Sequence, residues 1–153
     1  MKWRNEQIYH LRQSQLLTET EQENYFKTTV LRSFEEEFPQ QVLFSFLKDN
    51  ICIGYGGLVH INWMDRNAEL SFIMDTRLEM ESFEEIWDNY LPLIEEVAFN
   101  ELKFHKIFTY AFDLRPHLYN VLEKNGYIKE AILVDHILFK GNYKNVVIHR
   151  KLR

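Results

Sequence analysis

Apolar residues recur at two different periods along this chain, and the switches between them mark out its elements. The stretch "WRNEQIYHLRQ" reads as a short helix. "LLTETEQENYFKTTVLRSFEEEF" reads as a longer one. In it Thr18 or Thr20 serves as N-cap, acids crowd the first turn, and Tyr25, Phe26, Val30, Leu31 and Phe34 fall at helical spacing. Pro39 ends it. The period then drops to two: "QVLFSFL", "ICIGYGGLVHI" and "AELSFIM" predict three strands joined by "KDN" and "NWMDRN", an antiparallel meander. From Ser82 the helical period returns, with Phe83, Ile86, Trp87, Tyr90, Ile94, Val97 and Ala98 on one stripe. Pro92 inside this helix predicts a kink near the preceding turn. "KIFTYAF" is an apolar strand after a long helix, hence expected parallel to the strand before that helix. "RPHLYNVLEKNG" predicts a short helix with Pro116 in its first turn and Gly126 as C-cap. "YIKEAILVDHILF", "KGNY" and "NVVIHRKL" close the chain as a hairpin. The predicted order is ααβββαβαββ, an α/β (α+β) mixed sheet with helices on both faces.

Composition narrows the class. The 153 residues suit one domain over 1–153, and 46% hydrophobic with 27% charged is globular. Aromatics reach 15%, so Phe and Tyr supply much of the core volume. A net charge of −5 argues against general nucleic-acid binding, which needs a basic surface. Cys52 is the single cysteine, so no intramolecular disulfide forms, in keeping with a reducing cytoplasm. No apolar run reaches membrane-spanning length, and "MKWRNEQIYH" lacks the apolar centre of a signal peptide. The six histidines show no paired metal spacing, so no metal is expected. No nucleophile-elbow glycines frame a serine.

The words "IGYGGL" (53–58), "AELSFIMD" (68–75), "EEVAFNELKFHKIFTYAF" (95–112) and "LEKNGYIKEA" (122–131), in this order, resemble the GNAT superfamily of acyl-CoA-dependent N-acetyltransferases. "WRN" at Trp3 to Asn5 resembles the opening helix of members that acetylate amino sugars or protein N-termini. Only Met1 and Lys2 precede Trp3, so the family's strand before that helix is expected either to be lacking or to belong to a longer chain from which this one is cut. The resemblance implies acetyl-CoA as cosubstrate, lying where two parallel strands splay, with backbone groups of Phe72, Ile73 and Met74 holding its pantetheine arm. It implies a small-molecule amine, such as an amino sugar, or a protein N-terminus as acceptor. It also implies Glu69 as general base. The residues alone equally allow Glu69 to be a strand glutamate facing solvent or paired with Arg66. Leu122 holds the place of the family's usual tyrosine acid, and Tyr119, one turn back, is the substitute candidate beside its reading as a core aromatic. Arg115 replaces the family's asparagine, where it reaches a CoA phosphate or caps the sheet edge. His60 is an alternative base or a structural histidine. Trp3, Arg4, Asn5 and Tyr55 are candidate acceptor walls. Gly54, Gly56 and Gly57 mark a bulge or a close backbone approach.

One family element is absent. The glycine-rich pyrophosphate loop falls on "SFEEIW" (82–87), which has no glycine, and the run from Asp75 is about one helical turn longer than the pattern. Arg77 is its only cation, against Glu79, Glu81, Glu84 and Glu85. Either these acids simply stabilise a helix N-terminus and the anion site is lost, or the backbone N–H groups still hold phosphate while the carboxylates point away. A catalytically inactive GNAT-fold domain that binds a ligand or partner, or an accessory part of a larger system, is therefore the rival reading. The C-terminal hairpin offers an edge for a homodimer without requiring one.

Overall fold

The computed structural model describes residues 1–153. It contains α1 (Lys2–Glu6), a 3₁₀ turn (Ile8–His10), α2 (Glu19–Tyr25) running through a wide turn into α3 (Leu31–Ser33), and the strands β1 (Val42–Lys48), β2 (Ile51–Asn62) and β3 (Asn67–Met74). There follow α4 (Thr76–Glu81), α5 (Phe83–Glu95), β4 (Lys106–Phe112), α6 (Pro116–Lys124), β5 (Ile128–Phe139) and β6 (Asn142–Leu152). The strands form one six-stranded sheet in the order β1-β2-β3-β4-β6-β5. Every neighbouring pair is antiparallel except β3 and β4, which run parallel as the helix between them requires. No helix is long and apolar enough to cross a membrane.

The meander turns are set by backbone chemistry. Asp49 and Asn50 both take positive φ (51° and 63°), and so do Lys140 and Gly141 (48° and 79°). Two successive left-handed residues are what a two-residue hairpin loop needs, and Asp, Asn and Gly tolerate them. Thr18 is the N-cap of α2 in a reciprocal capping box with Glu21. The stripe from Tyr25 to Phe34 is helical but largely outside the core, with Phe34 82% exposed.

Alternation along β3 sends Ala68, Leu70, Phe72 and Met74 into the main core, against Ile86, Trp87, Leu91 and Ile94 of α5 and Leu118, Val121 and Leu122 of α6. Gly56 is required at this packing: a Cβ there would lie 2.1 Å from the Ser71 carbonyl oxygen. The glycines serve close approach, and one register shift of β2 falls beside them, between the Phe46–Gly54 and Leu47–Cys52 pairs, while another lies between Val59 and Asn62. Tyr55 points to the opposite face and stacks on Trp3 of the N-terminal segment (centroids 6.5 Å apart). Pro92 sits on the exposed side of α5, which runs through it, and the helix then widens into a π-type turn at Glu96–Glu101.

The junction after β3 differs from the single helix expected from Ser82. Asp75 caps a separate short helix, α4, by accepting from the Arg77 N–H (2.9 Å). Ser82 breaks the helical path at φ −139°, and α5 starts there with no side-chain cap.

Candidate active site

Strands β3 and β4 share only three pairs: Asn67 with Lys106, Ala68 with Ile107, Glu69 with Phe108. Beyond Glu69 they separate, before the strand reaches Phe72, Ile73 and Met74. The ladder to β2 fixes what β3 offers to the gap. The Asp75 N–H donates to the Ile53 carbonyl (2.8 Å), so by alternation Leu70, Phe72 and Met74 turn their backbone groups toward β4. Ile73 turns its own toward Tyr55 of β2, which removes it from the groups that can pair across the gap. The Met74 carbonyl is already taken by the Gln7 amide (2.8 Å).

The gap opens into a cleft of about 340 Å³, within the usual range for small-ligand sites. Leu70, Ser71 and Phe72 line one side, Thr109 to Phe112 the other, and Trp87 and Leu118 sit among the wall residues. Trp87 is a wall, packed edge-on against Phe72 with centroids 5.2 Å apart, and leaves the cleft open. Glu69 is the only acid in the lining, against Arg4, Arg12, Arg115, His10 and His60.

Glu69 stands on the last shared rung and is 8% exposed. Its Oε1 accepts from the Arg12 guanidinium, and its Oε2 lies 2.9 Å from His60 Nδ1. Arg12 also lies over the Tyr110 ring, 4.2 Å from Cζ to centroid. Glu69 is thus paired with Arg12 and His60; a pairing with Arg66 does not occur. His60 reaches it from a positive-φ position (48°) at the irregularity of β2. Arg12 belongs to the irregular stretch before α2, held by Asn5, whose Oδ1 accepts from the Leu17 N–H (2.8 Å) while its Nδ2 donates to the Leu17 carbonyl (2.9 Å).

The other sequence candidates divide. Arg4 lines the cleft and donates to Gln13 Oε1 (3.2 Å). Trp3, Asn5 and Tyr55 shape the N-terminal segment rather than the cleft wall. Arg77 is folded onto Asp75 (3.1 Å) and stays outside. Tyr119 does not line the cleft: its hydroxyl donates to Asp113 Oδ1 (3.1 Å), and burial with that carboxylate raises its pKa. Arg12 and Tyr110 are the residues that sequence reasoning missed. Tyr110 was within reach, because period two on "KIFTYAF" puts it on the face opposite Ile107 and Thr109.

At the far end of the cleft Arg115, the N-cap residue of α6, is buried. Its Nη1 lies 3.2 Å from Glu79 Oε1 and 2.6 Å from His10 Nε2. Burial raises the Glu79 pKa against the pull of Arg115. Burial and the same guanidinium push His10 down to about 3, so its ring is neutral and accepts from Arg115. Of the four junction acids, then, Glu79 turns inward onto the cation. Glu84 pairs with Lys124 (2.7 Å) and Glu85 with Lys48 (3.7 Å), both from the first turn of α5, whose N-terminus has no side-chain cap.

Residues 1–148 match the family model described as "Acetyltransferase (GNAT) domain". The chain belongs to the GNAT acetyltransferase family. Among solved structures it is similar to the spermidine N-acetyltransferase of Vibrio cholerae in complex with CoA and spermine, at 19% identity and TM-score 0.84 over 99% of this chain and 86% of that one. It is also similar to the spermidine/spermine N-acetyltransferase of Vibrio cholerae in complex with manganese ions, at 21% identity and TM-score 0.73 over 87% and 74%. At these identities the likeness establishes the GNAT fold. No curated protein matches the chain.

The cleft fits an acyl-CoA arm in two respects: backbone groups of Leu70 and Phe72 face a gap where a strand-like ligand can pair, and the lining is cationic in an acidic protein. At the Arg115 end a buried cation is present, and Glu79 is the anion it already holds.

Proposed function

We propose that this GNAT-family chain is an N-acetyltransferase that moves an acetyl group from acetyl-CoA to the primary amine of a small molecule, with a protein N-terminus as the alternative acceptor. The observation that carries the reading is the parting of β3 and β4 at Glu69, which sets a buried carboxylate at the apex of an open cleft. Acetyl-CoA supplies an acyl carbon activated by its thioester; the new N–C bond forms as the C–S bond breaks. Backbone amides and carbonyls of β3 hold the ligand's amide-bearing arm as an added strand. Glu69 accepts the proton that the attacking amine sheds, and His60 at 2.9 Å steadies the carboxylate. The thiolate leaves without a dedicated tyrosine acid, since the Tyr119 proton is committed to Asp113. Binding is tested by thermal or chemical unfolding with acetyl-CoA, which at a hundred times its Kd adds about 2.7 kcal/mol of stability. Glu69→Gln then lowers kcat by roughly 10²–10⁴-fold with cofactor affinity unchanged. Unaltered turnover in that variant removes Glu69 as the base.

A second reading has its own observation. Glu79 occupies Arg115 and the junction carries no glycine, as expected of a GNAT-fold domain that has given up transfer and uses the cleft to bind a ligand or partner. Absence of any stabilisation by millimolar acetyl-CoA, longer acyl-CoAs or desulfo-CoA decides for this reading.

A further inference from the structure

The acceptor end of the cleft is filled by one of the chain's own cations. Glu69 is the only acid there, and the Arg12 guanidinium sits on it while lying over the Tyr110 ring. A carboxylate beside an aromatic face is the chemistry that receives an organic cation. An amine arrives at neutral pH as an ammonium ion and needs that same carboxylate, so the guanidinium must leave. Arg12 is able to leave: its side chain is 43% exposed and it belongs to an irregular segment between the 3₁₀ turn and α2. Once displaced, it is a free guanidinium next to a newly bound ammonium, with Arg4 also in the wall. Two unpaired like charges at such separation repel unless the ligand brings an anion. A guanidinium fork matches a carboxylate or a phosphate in bidentate fashion.

We infer that the acceptor carries its own anion: a small primary amine with a carboxylate or phosphate a few bonds away, its ammonium replacing Arg12 on Glu69 and its anionic group taking the freed Arg12. The exchange conserves pairing, one ion pair becoming two. A polyamine does the reverse, adding further positive charge to a wall of arginines with a single acid. The spermine held by the structural relative is therefore the wrong class of acceptor for this cleft. This inference rests on the transferase reading for its kinetic test, and on binding alone for the other.

The experiment compares matched acceptors on the full chain: the L-amino acids against their methyl esters, glucosamine 6-phosphate against glucosamine, and spermidine. Thiol release gives kcat/KM, and calorimetry with desulfo-CoA present and absent gives affinity. The expected result is at least a tenfold preference for the anionic member of one pair, the pair identifying carboxylate or phosphate. Arg12→Gln should shrink that preference to within twofold, chiefly through KM, and Arg12→Lys should keep part of it. Preference for spermidine or for the neutral partners, survival of the preference in Arg12→Gln, or failure of every anionic amine to bind overturns the inference. Failure to bind any acyl-CoA while an anionic amine still binds more tightly than its neutral partner overturns the transferase reading and leaves this one standing.

Discussion

Replacing His10 with Gln tests whether the buried cluster at the far end of the cleft holds a neutral imidazole. In the folded chain His10 Nε2 faces Arg115 Nη1 at 2.6 Å, which a protonated ring cannot tolerate, and its pKa falls from 6.5 to about 3. A group whose pKa is depressed by folding binds protons more readily in the unfolded chain, so acid favours unfolding. The contribution is whole above pH 6.5 and is lost as pH falls toward 3. Each pH unit inside that window costs about 1.4 kcal/mol, so at pH 4.5 the loss is about 2.7 kcal/mol. Glu79 acts in the opposite sense: its raised pKa means that the fold takes up that proton more readily than the unfolded chain does, and stability is gained as pH falls. Arg115 keeps its charge throughout, while Tyr9 and His117, the other titratable neighbours, are common to both proteins. His10→Gln preserves an acceptor for Arg115 without a titrating ring. Urea unfolding at pH 7.5 and pH 4.5, followed by tryptophan fluorescence, should show the wild type losing about 2–3 kcal/mol more than the variant. Equal losses, within about 0.5 kcal/mol, would refute the neutral, Arg115-facing imidazole.

Three further outcomes follow from the packing. Gly56→Ala puts a Cβ 2.1 Å from the Ser71 carbonyl oxygen, so denaturant unfolding should show a loss of about 1–3 kcal/mol. Leu122, fully buried in the core at the family's tyrosine position, should cost about 2–5 kcal/mol as Leu122→Ala, while Leu122→Tyr should destabilise by overpacking and leave thiol-release rates no higher. Thr18→Ala removes the capping box of α2; its cost of about 1 kcal/mol should appear as faster amide exchange across Glu19–Tyr25, with β3 unaffected.

What could be read from the sequence was local. Two-residue turns at Asp49–Asn50 and Lys140–Gly141, the Thr18 cap and the period-two run of β3 each announce themselves within a few residues. The run of β3 already set Glu69 on the face opposite Leu70 and Phe72. The partners of Glu69 were not legible, because Arg12 lies 57 positions away on a segment with no period of its own. That segment is placed by the Asn5 amide reading the Leu17 backbone, a contact that leaves no pattern. Tyr119 shows the same limit from the other side: helical spacing puts it one turn from Leu122, but its hydroxyl belongs to Asp113. The glutamates of the junction looked alike in sequence, and only their neighbours distinguish Glu79, facing Arg115, from Glu84 and Glu85, facing lysines.

The three rungs between β3 and β4 divide the sheet into two stiff plates, β1-β2-β3 and β4-β6-β5, joined along a seam about three residues long. The two halves still share one core, since Ala68 and Leu70 of β3 and Ile107 of β4 pack in a single cluster with residues of α5 and α6. Glu69 is seated at the seam, on the last rung that both halves share, so one short ladder positions its carboxylate between them.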